Sequence, residues 1–149
     1  PEIYARAGTL LFAKDVLSWH LTGERASDIS DMTGAGLTRM PDARYDEALL
    51  ALYGLQDAMR LLPPALEPAA IAGHVTAKAA KVTGLAAGTP VIAGYFDVVS
   101  SALGSGAVRQ GDASIVAGSW SINQVFAPKP AADERIFMVA KFGDSRFLN

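Results

Sequence analysis

Residues 91–106, VIAGYFDVVSSALGSG, change character at one position. Up to Gly94 the run is apolar, with the length and β-branched content of a buried strand. Beyond Asp97 it takes the small-residue texture of a tightly packed helix. A strand that hands over to a helix belongs to α/β architecture. In such sheets ligands gather at the carboxyl ends of strands, where loops open and helix N-termini point at the site. Asp97 stands at that end, and two roles suit it. As a general base, its carboxylate would take the proton of a hydroxyl attacking an electrophile, while Gly94 lets a ligand approach the backbone. As an N-cap, it would satisfy the free amides of a helix over residues 98–103. The residues themselves leave both roles open.

The rest of the chain is read by the same signals. Leu10, Ala13, Leu17 and Leu21 recur at steps of three or four, which predicts one helix over residues 4–21 with an apolar stripe, stopped by Gly23. SDISDMTGAG reads as loop or short turns in which Asp28, Ser30 and Asp31 can cap backbone amides. A helix is expected over residues 45–53, closed by Gly54. A short one follows at 56–61 and is ended by the prolines of LLPPALEP. From Gly73 the texture alternates: a short strand at 73–75, a helix in TAKAAKVTG stopped by Gly84, and the buried strand of GTPVIAG. ASIVAG, SINQVF and IFMVAKF read as three strands, the first two joined by a tight Gly118–Ser119–Trp120 corner that predicts an antiparallel hairpin. The polar turn RQGD at 109–112 marks the expected domain boundary.

Composition narrows the function classes. With 149 residues, half of them apolar, the chain can bury one sizeable core. A net charge of −2 without a Lys/Arg block argues against a nucleic-acid or membrane-surface partner. There is no cysteine. His20 and His74 lack metal-ligand spacing, so neither is assigned a role and no metal ligand is identified. No apolar run approaches a membrane span and no leader pattern opens the chain, as expected of a soluble, unprocessed protein, and the absence of cysteine fits a reducing cytoplasm. The chain begins without Met and stops in mid-pattern at KFGDSRFLN, as expected of a fragment.

A second candidate lies in GAVRQGDASIVAGSWS. The amides and hydroxyls of Gly118, Ser119 and Ser121 could line a phosphate, or they could form an ordinary hairpin that needs Gly for its turn. No Walker loop, dinucleotide fingerprint or nucleophile elbow is present. Trp19, Phe96 and Trp120 are core residues in the plain reading, and Phe96 and Trp120 lie close enough to the candidate sites to stack on a sugar or base.

Taken in order, KDVLSWHLTGERASDISDMTG, the segment LPPALEPAAIAGHVTAKAAKVTGLAAGTPVIAGYFDVVSSALGSGAVRQGD and SIVAGSWS resemble the FGGY family of carbohydrate kinases, over nearly the whole chain. GYFDVVSSALGSG followed by WSINQ is most similar to its L-xylulose kinase branch. The resemblance implies a ribonuclease H-like, actin-type ATPase fold in which sugar and MgATP meet between two domains. Residues 1–110 would be the C-terminal part of the sugar-binding N-terminal domain, and 111–149 the start of the nucleotide-binding C-terminal domain. Asp97 would be the catalytic base and would touch the sugar, with Phe96 as a wall beside it. Gly118, Ser119 and Ser121 would face the ATP phosphates, although Ser119 stands where the family usually has Thr and Trp120 fills the next place. Val98 replaces a polar sugar contact found in several members. The implied reaction is ATP- and Mg2+-dependent phosphorylation of a ketopentose, L-xylulose, or of a near relative such as 3-keto-L-gulonate. The implied partners are sugar and ATP, with a homodimer as candidate assembly. The activity would be that of a longer parent, the fragment alone being inactive. A non-catalytic sugar-sensing module of the same fold is the alternative, and a chaperone or filament ATPase is disfavoured by the strand-end Asp.

Overall fold

The computed structural model describes residues 2–149. Its first element, α1 (Glu2–Arg6), is separate from α2 (Ala13–Thr22), so the single helix expected over 4–21 is two. The break has a tertiary cause. Arg60 donates to the carbonyls of Tyr4 and Ala7 at 3.0 and 2.9 Å, and the Leu10 amide donates to Leu61 O at 2.7 Å, so the intervening backbone is tied to its neighbour instead of continuing the spiral. The apolar stripe also fails. Leu17 is 67% exposed, whereas Asp15 on the same helix is 1% exposed. Gly23 does end α2, in the left-handed conformation at φ 83°, a backbone region that residues with a side chain rarely adopt.

β1 (Ser27–Asp28) leads directly into α3 (Ile29–Gly34), so the Ser/Asp-rich stretch expected as loop is a buried helix. Its residue types favour turns because their side chains compete for backbone groups. Here that competition is settled within the helix. Asp28 caps the amides of Ser30 and Asp31, Thr33 donates back to Ile29 O at 2.6 Å, and fully buried Met32 anchors the packing. Ser30 accepts a backbone amide from further along the chain, that of Phe96 at 2.8 Å, and among the described residues Asp31 takes none. The ribbon β2 (Thr38–Arg39) and β3 (Arg44–Tyr45) precedes α4 (Glu47–Leu52), and a 3-10 helix covers Gln56–Leu61. β4 (Ala65–Leu66) returns to pair with β1 in parallel.

β5 (Ile71–His74) and β6 (Pro90–Ile92) form an antiparallel pair around α5 (Ala77–Thr83), which stops at left-handed Gly84 as expected. β6 is not a buried strand. Among the described residues its only strand neighbour is β5, and Ile92 is 47% and Ile71 56% exposed. Gly73 is required where β5 meets the end of α2, since a Cβ there would lie 2.8 Å from Thr22 Cβ.

α6 (Asp97–Gly104) follows β6 after a four-residue turn. The polar turn at 109–112 then leads to β7 (Ala113–Ala117) and β8 (Ser121–Ala127), the antiparallel hairpin expected from the sequence. IFMVAKF yields only a short strand, β9 (Ala140–Phe142), with Ile136 and Phe137 left exposed before it. The unanticipated β10 (Arg146–Leu148) turns back through Gly143 to complete the order β7-β8-β10-β9. Val98, Val99 and Ala102 of α6 pack on Phe126, Ala140, Phe142 and Leu148 of this sheet, with Phe126 and Phe142 edge to face at 5.4 Å. The helix that begins with Asp97 is therefore seated on the main apolar core.

Candidate functional site

The turn between β6 and α6 is fixed by backbone bonds before any side chain is considered. Ala93 N donates to Ala70 O and Gly94 N to Pro68 O, each at 2.9 Å. Gly94 sits at φ 86°, a conformation that favours glycine. Phe96, not Asp97, holds the N-cap position, and its side chain cannot cap. Asp97 is the first helical residue. It is exposed, and among the described residues its carboxylate accepts no hydrogen bond; only its carbonyl is engaged, by Ser101 Oγ at 2.8 Å. The capping role left open by the sequence is thus not the one adopted, and both carboxylate oxygens are available to an incoming donor.

Behind the turn lies a charged cluster that sequence reasoning did not assemble. Lys14 Nζ lies 2.6 Å from Asp15, 2.7 Å from Asp28 and 3.1 Å from Asp31, and it also donates to Ala93 O at 3.3 Å. The contact with Asp28 Oδ2 is an ion pair, whereas Asp15 Oδ1 takes a hydrogen bond from the ammonium. Asp15 and Asp28 are essentially inaccessible. Burial works against the Lys14 ammonium, and the three carboxylates outweigh it and hold the amine above its usual range. Burial likewise pushes the Asp31 carboxyl up to about 6; Lys14 pulls it down and the Asp28 charge pushes it further up. A carboxyl raised on folding adds stability that is fully present below its unfolded value of 3.8 and is lost as pH rises through about 6. The urea midpoint of Asp31→Asn, measured between pH 4 and 7, should lack the decline that this group imposes on the parent; an identical pH profile would refute the assignment.

Ser30 completes the link to the turn. Its buried hydroxyl donates to Asp28 Oδ1 and accepts from Phe96 N at 2.8 Å. The Phe96 ring is half-buried over Gly34, where a Cβ would come 2.9 Å from the ring edge and 3.4 Å from Met138 Sδ. On the far side, Gln124 of β8, 4% exposed, donates to Val98 O at 3.2 Å and ties the hairpin strand to the helix of Asp97. A polar residue between Ile122 and Phe126 on the inward face of SINQVF was the available signal for it.

Phe96 and Asp97 are neighbours at the start of α6, and Gly118, Ser119 and Ser121 lie at the β7–β8 hairpin. All three hairpin residues are exposed, and Ser121 lines a groove with Trp120, Ile122, Ile136, Phe137 and Met138 that does not include Asp97. Trp120 is 80% exposed, so it is not the core residue of the plain reading. His20 and His74 are exposed and distant in the chain. Among the described residues no group of three or more carboxylates or imidazoles is arranged for a metal, because the one acidic convergence is filled by Lys14. No residue among them is therefore assigned to a metal. Among the described residues no helix is long and apolar enough to cross a membrane.

Comparison with known proteins agrees with this architecture. Residues 1–104 match the N-terminal domain of the FGGY family of carbohydrate kinases. A probable L-xylulose kinase from Pasteurella multocida is 41% identical over 122 residues, covering 82% of this chain and 25% of that protein. An autoinducer-2 kinase from Yersinia enterocolitica is 38% identical over 133 residues, 89% of this chain and 25% of its own. The chain thus spans about a quarter of the length of the curated relatives it matches. The crystal structure of a xylulose kinase from Rhodospirillum rubrum superposes with a TM-score of 0.87 at 28% identity, over 99% of this chain and 30% of that one. The fold is accordingly of the ribonuclease H-like, actin-type ATPase class. The chain belongs to the FGGY family of carbohydrate kinases.

Proposed function

We propose that the protein carrying this chain transfers the γ-phosphoryl group of ATP to a sugar hydroxyl, with Asp97 as general base. The observation behind this reading is the Asp97 carboxylate itself, exposed on a rigid strand-to-helix turn and uncommitted to any described residue. The substrate hydroxyl gives its proton to Asp97 as its oxygen bonds to phosphorus, and the bond to the ADP oxygen breaks. Such transfers ask mainly for alignment and for stabilisation of phosphate charge. Alignment would come from the turn on which Asp97 sits, with Phe96 beside it as a wall of the sugar site. The amides and hydroxyls of Gly118, Ser119 and Ser121 would approach the phosphates from the hairpin, across the gap between the sugar-binding part, 1–110, and the start of the nucleotide-binding part, 111–149. Mg2+ would enter with the nucleotide, and none of these residues is assigned to it.

The favoured substrate is a ketopentose such as L-xylulose, on the motif GYFDVVSSALGSG and the similarity to the Pasteurella protein. The full-length protein, offered L-xylulose, 3-keto-L-gulonate, D-xylulose and autoinducer-2, should release ADP in a sugar-dependent way, with the highest kcat/KM on L-xylulose. Preference for autoinducer-2 would overturn the substrate but leave the transfer standing. Sugar binding by calorimetry without ADP release would instead establish a sensing module.

A further inference from the structure

We infer that Ser30 is a positioning residue for Asp97: its hydroxyl, oriented by Asp28, holds the end of the turn from which the carboxylate projects. The inference rests on the reading of Asp97 as the base. A serine hydroxyl has one proton and two lone pairs. The Phe96 amide can only donate, so at 2.8 Å the Ser30 oxygen must be its acceptor. The hydroxyl proton is then free for Asp28 Oδ1, which also takes the Ser30 and Asp31 amides. Asp28 is held in turn by the ion pair with Lys14. The direction of every donor in this chain is thus determined, and none depends on solvent, since Ser30 and Asp28 are both 0% exposed.

The entry to the turn is secured separately, by Ala70 O on Ala93 N, Pro68 O on Gly94 N and Lys14 Nζ on Ala93 O. At its exit, one residue before the base, the Ser30 hydroxyl is the hydrogen-bond acceptor of the Phe96 amide among the described residues. The Asp97 side chain has no partner of its own among the described residues, so its aim follows the backbone at Phe96. Displacing a reacting group by about 1 Å can cost about 100-fold in rate. This makes the hydroxyl a determinant of turnover through another residue.

The experiment is a double-mutant cycle in the full-length kinase, with kcat per folded molecule and both KM values measured for Ser30→Ala, Asp97→Ala and the double variant. Ser30→Ala should lower kcat about 10- to 100-fold with KM for ATP within about twofold, and should lower nothing further in the Asp97→Ala background. Ser30→Thr, which keeps the hydroxyl, should recover most of the loss. An unchanged kcat for Ser30→Ala beside a deep loss for Asp97→Ala would overturn the positioning role and leave the base standing. Equal losses in both backgrounds would show that Ser30 acts elsewhere and would also overturn it. Near-normal turnover of Asp97→Ala would remove the base and this inference with it. If Ser30→Ala does not fold, Ser30→Cys fills the same space with a weak acceptor, and the same outcomes decide.

Discussion

Replacing Asp97 with Asn in the full-length protein should lower kcat by about 10²- to 10⁴-fold, the usual contribution of a positioned general base, while sugar affinity changes by less than about tenfold. The amide keeps the size and planarity of the carboxylate, so the turn and α6 should be undisturbed. Among the described residues the Asp97 side chain supports no helix cap and no ion pair whose loss could mimic a catalytic defect. What Asn cannot do is accept the hydroxyl proton as the oxygen attacks phosphorus. Steady-state kinetics with coupled ADP detection, together with calorimetric sugar binding, separate the two effects. A variant that turns over within a few-fold of the parent would remove Asp97 from the mechanism. One that loses sugar binding by orders of magnitude would make it a binding group instead.

How far the sequence carried the reading depended on whether the cause of a feature was local. The glycine stops at Gly23 and Gly84 were legible because a left-handed C-terminus is set by one residue and its immediate neighbours. The hairpin at Gly118–Trp120 and the cap at Asp28 were legible for the same reason. Leu17 misled because periodicity reports an apolar stripe and assumes it faces inward. In α2 the inward face instead carries Asp15, and the partly buried Lys14 reaches across to α3 and the β6–α6 turn. That cluster draws on residues 14, 28, 31 and 93, which no spacing rule brings together. The helix at Ile29–Gly34 was hidden by residue types that favour turns in isolation, and its stability comes from buried partners that only the fold supplies. Asp97 was identified as a strand-end acid from the residues. Its choice between base and cap required the family resemblance, and the structure then showed the carboxylate uncapped.

Removing the Lys14 charge should be among the most destabilising single changes available to the chain. Lys14→Met keeps much of the aliphatic stem but leaves Asp15, Asp28 and Asp31 facing one another with no cation, and two of the three are out of reach of water. Breaking a buried ion pair from one side costs about 3–5 kcal/mol, because the stranded charge keeps its desolvation penalty and loses its compensation. The expected readout is a large drop in the urea midpoint at pH 7. Part of it should be regained as pH is lowered through the Asp31 pKa, which stands at about 6 with Lys14 present, chiefly through burial, and moves higher once the pull of Lys14 is gone. Lys14→Met with Asp31→Asn should be more stable at pH 7 than Lys14→Met alone, one of the uncompensated charges having been removed. If Lys14→Met matched the parent within about 1 kcal/mol at both pH values, the cluster would not be the charged core seen here, and the support it lends to the turn of Asp97 would have to come from the backbone bonds alone.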